Sequence, residues 1–216
     1  NQHIPNAIFF DLDENSRKNT DLPHMLVDKS DWEKIVSEMG IKNEDTVVVY
    51  DNSYVVSSCR CWFNFIYFGH DPNLVHVLNG GLKKWLKEHK KVTSDFPVNS
   101  NTQYKSFEKK ELVKSKKFIN ENIISQSFKV VDARSKERFE GKVPEPRKGL
   151  RSGNIKNSFC VPFGDCLNQN GTFKEKEKLR EVFSSSLKNL NEKNIVFSCG
   201  SGVTACVLAL AYSLIN

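Results

Sequence analysis

The sequence predicts an α/β chain made of two tandem domains of one design, each a mainly parallel sheet flanked by helices. Three observations carry this. Thr46–Tyr50 and Ile195–Ser198 are short, continuous, β-branched or aromatic runs of the kind found in buried parallel strands. Each follows an amphipathic helical pattern and precedes a short polar loop and an apolar helix, so the order helix, strand, loop, helix occurs twice. His3–Asp11 also aligns with Asn154–Pro162, and Asp51 with Cys199, as in a duplicated domain. At 216 residues the chain has room for two small domains.

In chain order, Trp32, Ile35, Val36 and Met39 make one apolar face of a helix over Asp31–Met39, with Ser30 as N-cap and Gly40 as the stop. The strand Thr46–Tyr50 leads through the Asp51 loop into an aromatic helix over Ser57–Phe68. A strand at Val75–Leu78 then meets Asn79-Gly80-Gly81 and a helix carrying Leu82, Trp85 and Leu86. Residues 1–92 form the first domain. Residues 93–107 lack periodicity and carry Pro97 with several Ser and Asn, the signature of a linker. The second domain, 108–216, opens on a strand at Lys129–Asp132. It continues through an arginine-rich segment to a helix bearing Leu179, Val182 and Phe183, the strand Ile195–Ser198, and a helix over Val203–Ile215. The charged run Lys174–Lys188 is a solvated helix face. Each domain lacks an element that the other has, so the chain is expected to be a piece of a longer parent, truncated at both ends.

Composition narrows the function. Hydrophobic residues make up 38% and charged residues 27%, with 15 Phe and 3 Trp, enough for a packed core. The apolar stretch Val203–Ile215 is shorter than the ~20 residues a bilayer demands. No leader is read at Asn1–Phe10, and no membrane partner is expected. The net charge of +6 comes from 25 Lys and 7 Arg spread among 26 acidic residues, which describes a solvated surface rather than a nucleic-acid stripe. The six Cys, at 59, 61, 160, 166, 199 and 206, show neither C-x-x-C pairs nor zinc spacing. Reduced thiols, no metal, no cofactor and a cytoplasmic location follow, or a mitochondrial one in a eukaryotic cell.

Two features bear chemistry. Arg134, Arg138, Arg147 and Arg151 fall close together although Arg is scarce elsewhere, and clustered Arg suits planar recognition of carboxylates. Cys199-Gly-Ser-Gly-Val-Thr204 joins a strand to a helix, where curled backbone amides and the helix N-terminus favour an anion. A free thiol is only about 3% thiolate at pH 7; a thiol depressed to ~6.5 is mostly ionised, which makes Cys199 a candidate nucleophile. A phosphatase cradle would need an Arg where this chain has Ala205. No suitable His follows Cys199 for a cysteine protease. Cys59, Cys61 and Cys206 read as packing, and His3, His70, His76 and His89 form no constellation.

The Cys199 loop, the segment Asp132-Ala-Arg-Ser-Lys-Glu-Arg-Phe-Glu-Gly141, Pro144-Glu-Pro-Arg147, and Gly80-Gly-Leu82 with Trp85 resemble the tandem-rhodanese sulfurtransferases, most closely their 3-mercaptopyruvate branch. The resemblance covers nearly the whole chain. It implies two rhodanese-like domains, the first catalytically silent because Asp51 replaces the cysteine. It further implies that Cys199 takes sulfur from 3-mercaptopyruvate as a persulfide, releases pyruvate, and passes the sulfur to a thiol, thioredoxin or a small thiol, or to cyanide. Arg138 and Arg147 would hold the substrate carboxylate and carbonyl, while Gly200, Gly202, Val203 and Thr204 would supply loop amides. Ser201, His24 and Asp13 would form a proton relay drawing on both domains across an interdomain cleft. Thiosulfate-preferring relatives carry Arg and Lys after the cysteine; Gly200 and Ser201 favour the singly charged donor. Thiosulfate sulfurtransferase, or a non-catalytic rhodanese-like sulfur carrier, is the alternative. Asn154 stands where His is usual, which bears on a local turn.

Overall fold

The computed structural model describes residues 2–187, 190 and 194–216; Lys188, the last lysine of the charged run, lies outside them. The chain divides into two compact units, Asn1–Leu112 and Val113–Asn216.

In the first unit, α1 (Lys29–Glu38) precedes β1 (Val47–Val49), α2 (Ser58–Tyr67), β2 (Val75–Val77) and α3 (Gly81–Lys87). β1 and β2 are parallel, with Val47 opposite Val75. The helix α1 begins before Ser30: Asp28 is extended, and its backbone carbonyl accepts the Trp32 amide at 3.0 Å. Gly40, at φ +76°, turns the chain out of the helix as expected. The core is aromatic. Trp32 is fully buried, stacked on Phe68 with centroids 4.7 Å apart and edge-on to Phe65 at 5.1 Å. Gly81 is obligatory: its φ is +55°, and a Cβ there would stand 2.5 Å from the Asp51 carbonyl oxygen. That close approach fastens the Gly-Gly turn to the Asp51 loop, where Leu82 N–H donates to the same oxygen at 3.0 Å.

The stretch read as a linker, 93–107, is irregular but woven into the first unit. Thr93 and His3 exchange backbone hydrogen bonds of 2.9 Å. Thr102 N–H donates to Ser37 O at 3.0 Å, Tyr104 N–H to Ser37 Oγ at 3.0 Å, and Ser106 N–H to Glu33 Oε1 at 2.8 Å. Tyr104 is 1% exposed and stacks on His70, whose Nδ1 lies 3.0 Å from the Tyr104 hydroxyl and whose Nε2 lies 2.9 Å from Asp45 O. The backbone amides of this polar stretch are here tied to α1 by hydrogen bonds.

The second unit runs α4 (Lys116–Ser125), β3 (Lys129–Asp132), α5 (Lys136–Phe139), β4 (Phe159–Cys160), α6 (Lys176–Ser184), β5 (Ile195–Ser198) and α7 (Thr204–Ser213). The sheet order is β4-β3-β5, all parallel, with Val131 paired to Phe159 on one side and Phe197 on the other. α7 is apolar around its circumference and buries Ala205, Cys206, Val207, Leu208 and Ala211. α6 contributes buried Leu179 and Phe183, the latter edge-on to Tyr212 at 5.1 Å, and turns its lysines and glutamates outward. Parallel pairing brings the carboxyl ends of β3 and β5 together, and Ala133 N–H donates to Ser198 O at 2.8 Å. In such sheets ligands are met beyond the carboxyl ends of the strands, where this unit places the arginine segment and Cys199.

Tyr104→Ala should lower the unfolding free energy by about 3 kcal/mol or more, read by urea unfolding of the full chain. A residue in a true linker would lose less than about 0.5 kcal/mol, and that result would return 93–107 to linker status.

Candidate active site

Cys199 follows β5 directly and is half-buried at the N-terminal end of α7. Gly202 adopts φ +79°, a conformation that only glycine takes freely, and this curls the loop so that its amides face the sulfur. Gly202 N–H donates to Cys199 Sγ at 3.1 Å. Burial alone would push the thiol up, but hydrogen bonds from the Thr204 side chain and from the Ala205, Ser201 and Gly202 amides outweigh it, and the net shift is downward. Thr204 thus acts through its hydroxyl, and Ala205, one residue beyond the predicted loop, adds an amide. Val203 is buried, and Gly200 turns its carbonyl to Arg147 Nη2.

The other thiols with resolved shifts move the opposite way. Burial pushes Cys61 and Cys166 up to about 12 and Cys160 up to about 11. Cys206 is buried in α7 and donates its S–H to Gly202 O at 3.1 Å, which ties the loop to its helix.

The four clustered arginines divide by role. Arg138 and Arg147 converge on Gly200, next to the sulfur: Arg147 donates to its carbonyl, and a Cβ on Gly200 would stand 3.2 Å from Arg138 Nη2. Arg134 is locked. It grips Asp132 with a fork of 3.0 Å from Nε and 2.7 Å from Nη2, and donates to Gly153 O at 2.8 Å and Glu145 Oε1 at 2.8 Å. Arg151 is exposed. Glu145, given no role by the sequence reading, is buried between two arginines, taking Arg138 Nη2 at 2.6 Å as well as Arg134. The Arg138 guanidinium holds its carboxyl below the usual carboxylate range against the opposing effect of burial. Asn154 Nδ2 donates to Phe139 O at 3.0 Å and fastens the turn after the cluster to α5.

In the first unit His24 Nε2 lies 2.8 Å from Asp13 Oδ1. His24 sits at φ +58°, held there by Arg60, a buried α2 residue whose Nη2 donates to the His24 carbonyl at 2.6 Å. Arg60 was invisible to motif reading because its aromatic helix reads as core. The structure therefore pairs Asp13 with His24 in one unit, and Cys199, Ser201, Arg138 and Arg147 in the other. Asp51 occupies the first-unit loop that corresponds to Cys199. Its Oδ2 accepts Ser57 N–H at 2.8 Å and Ser53 N–H at 3.3 Å, and its Oδ1 accepts the Ser58 hydroxyl at 3.1 Å. Among the described residues no cluster of three or more His, Cys, Asp or Glu is placed to hold a metal, and no helix is long and apolar enough to cross a membrane.

Iodoacetamide should alkylate Cys199 selectively at pH 7 and leave Cys160 and Cys166 unmodified. Because its ionisation is shifted down, reactivity persists as pH falls below the ~8.5 of a free thiol and is lost only on passing the lower value. Thr204→Val should move that profile upward. A Cys199 midpoint at or above about 8.5 would contradict the geometry.

The model of the rhodanese-like domain matches residues 1–88 and 115–215. A mitochondrial thiosulfate/3-mercaptopyruvate sulfurtransferase of Arabidopsis thaliana is 38% identical over 96% of this chain, and the chain spans 60% of that relative's length. The human 3-mercaptopyruvate sulfurtransferase is 36% identical over 97% of this chain, which spans 70% of it. Among solved structures, SseA from Escherichia coli, described with the rhodanese fold of 3-mercaptopyruvate sulfotransferases, superposes with a TM-score of 0.88 at 28% identity, over 99% of this chain and 79% of SseA. The chain belongs to the rhodanese-like domain family, with one such domain in each of its two units.

Proposed function

We propose that this chain carries the activity of a sulfurtransferase that takes sulfur from 3-mercaptopyruvate onto Cys199. The observation that carries the reading is a half-buried thiol favoured as thiolate by four hydrogen bonds, with two arginines reaching the adjacent Gly200. The thiolate attacks the sulfur of the donor. The carbon–sulfur bond breaks, its electron pair passes into the pyruvate enolate, and protonation there yields pyruvate. Arg138 and Arg147 hold the carboxylate and the carbonyl oxygen on which the enolate charge builds. Ser201, with the Asp13–His24 pair, is assigned the handling of protons. A thiol acceptor then attacks the outer sulfur of the persulfide and regenerates the Cys199 thiolate, with thioredoxin or a small thiol in that role and cyanide as a laboratory substitute. Six cysteines without C-x-x-C or zinc spacing suit a reducing compartment, the cytosol or mitochondrial matrix.

Thiosulfate is the second donor to consider, since the plant relative's name carries both. Gly200 and Ser201 add no cation to the loop, which favours the singly charged donor.

Mass spectrometry after brief incubation with each donor, without acceptor, should find one added sulfur on the Cys199 peptide from 3-mercaptopyruvate. Equal labelling by thiosulfate would move the reading to that donor, and a folded chain labelled by neither would be a non-catalytic module. Cys199→Ser should abolish sulfide release. Arg138→Ala and Arg147→Ala should each raise KM by about tenfold or more; unchanged kinetics would remove them from the substrate site.

A further inference from the structure

Glu145 has no part in the steps above, yet its placement is costly to arrange and specific. Its side chain is 4% exposed, and both its oxygens are engaged by guanidinium groups. Oε1 takes Arg134 Nη1 at 2.8 Å and Arg138 Nε at 3.2 Å, while Oε2 takes Arg138 Nη2 at 2.6 Å. Arg134 is itself immobilised by Asp132, the last residue of β3, and by the Gly153 carbonyl. A continuous chain of charged hydrogen bonds therefore runs from the end of β3 through Arg134 and Glu145 to Arg138 and ends beside Gly200. Arg138 is gripped along its Nε–Nη2 edge, and Nη2 is also the nitrogen beside Gly200, so one N–H of Nη2 goes to Glu145 and its second is left for an incoming anion.

The same contacts fix the charge. Asp132 and Glu145, both 4% exposed at the side chain, pair with Arg134 and Arg138, while Arg147 donates to the Gly200 carbonyl. A carboxylate in contact with a guanidinium in a buried setting cancels most of its field a few ångströms away, so the arginine group presents a single excess positive charge.

We propose that Glu145 is a positioning and specificity-determining residue that aims Arg138 at the Cys199 loop and limits the positive charge there, so that a singly charged α-keto acid donor is taken over a doubly charged sulfur oxyanion. This rests on the reading of Arg138 as a substrate ligand. Glu145 acts through Arg138, and removing its charge while keeping its shape alters both the aim and the field.

The test uses the full chain with Glu145→Gln, Glu145→Asp and Arg138→Ala, and steady-state kinetics with 3-mercaptopyruvate and thiosulfate. Glu145→Gln should raise KM for 3-mercaptopyruvate by about tenfold with a smaller change in kcat, and shift the ratio of kcat/KM values toward thiosulfate by about fivefold or more. Glu145→Asp, which keeps the charge on a shorter arm, should raise KM but leave the donor ratio near that of the parent. In the double variant Arg138→Ala/Glu145→Gln the second change should add almost nothing to the first. An unchanged KM and donor ratio in Glu145→Gln, or a Glu145→Gln effect that persists in full without Arg138, would overturn the inference. Should circular dichroism show Glu145→Gln unfolded, Glu145→Asp decides, and an unchanged KM there overturns it. The two readings fail separately: Arg138→Ala without effect removes the substrate role and this inference together. Arg138→Ala with a raised KM beside a silent Glu145→Gln removes the inference alone.

Discussion

Where a parallel strand hands over to a helix, several backbone amides point into one small volume with few carbonyls to receive them, and something negative or strongly accepting must fill it. Both units are organised around this demand. In the second unit the acceptor is Cys199 Sγ, met by the Ser201, Gly202 and Ala205 amides and the Thr204 hydroxyl. In the first it is the Asp51 carboxylate, met by Ser53, Ser57 and Ser58. The two acceptors differ in chemistry. A carboxylate is a poor nucleophile toward sulfur, and that of Asp51 fills its loop with hydrogen bonds from Ser53, Ser57 and Ser58. A thiol is charged only because the loop stabilises the thiolate, and the sulfur so charged is reactive. The fixed points around both loops follow: Gly202 at positive φ, and Gly81 pressed onto the Asp51 carbonyl.

The loop that favours the thiolate also has two arginines beside it, whose like charges set a second demand. Arg138 and Arg147 approach from β3 and its following segment, brought near Cys199 because β3 and β5 are adjacent and parallel. Bare guanidinium groups at this spacing would repel one another and attract any polyanion. Interleaving Asp132 and Glu145 offsets the repulsion and fixes the orientation of Arg134 and Arg138. Such a network is poor evidence for stability, since buried ion pairs roughly break even, but it is good evidence for a requirement of geometry.

How much of this was legible in the sequence depends on the range of the interaction. The strands, the apolar helices, the repeat and the Cys199 loop are local patterns of β-branching, periodicity and glycine, and they appear where the sequence places them. The arginine cluster was visible as an anomaly of composition, because seven Arg against 25 Lys made four neighbours conspicuous. Which arginine faces the loop was not visible, since it depends on the partners Asp132 and Glu145. Glu145 is one of 26 acidic residues, and only burial distinguishes it. Arg60 and Tyr104 escaped for a similar reason. Arg60 sits inside an aromatic helix and reaches back to His24, and Tyr104 lies in a polar stretch whose hydrogen bonds run to α1, more than sixty residues earlier in the chain. The N-cap of α1 was misplaced because a Ser close to the helix start is a good statistical signal, whereas Asp28, with its side chain committed to Arg17, leaves only its carbonyl to the helix.

The cysteines show why position rather than residue type sets reactivity. Cys61, Cys160 and Cys166 are all shifted upward, with burial the leading cause in each. Burial acts on Cys199 in the same direction and is also its largest single influence, yet the outcome reverses. What differs is the number of donors that converge on the sulfur, which is a property of the strand-to-helix turn and cannot be transplanted with the side chain. The hydrogen bonds gain strength from the same exclusion of water that penalises the charge, so in this loop partial burial raises the cost of a misplaced thiol and the benefit of a well-placed thiolate together. Three thiols are thus pushed up while Cys199 moves down, and the choice is made by the backbone.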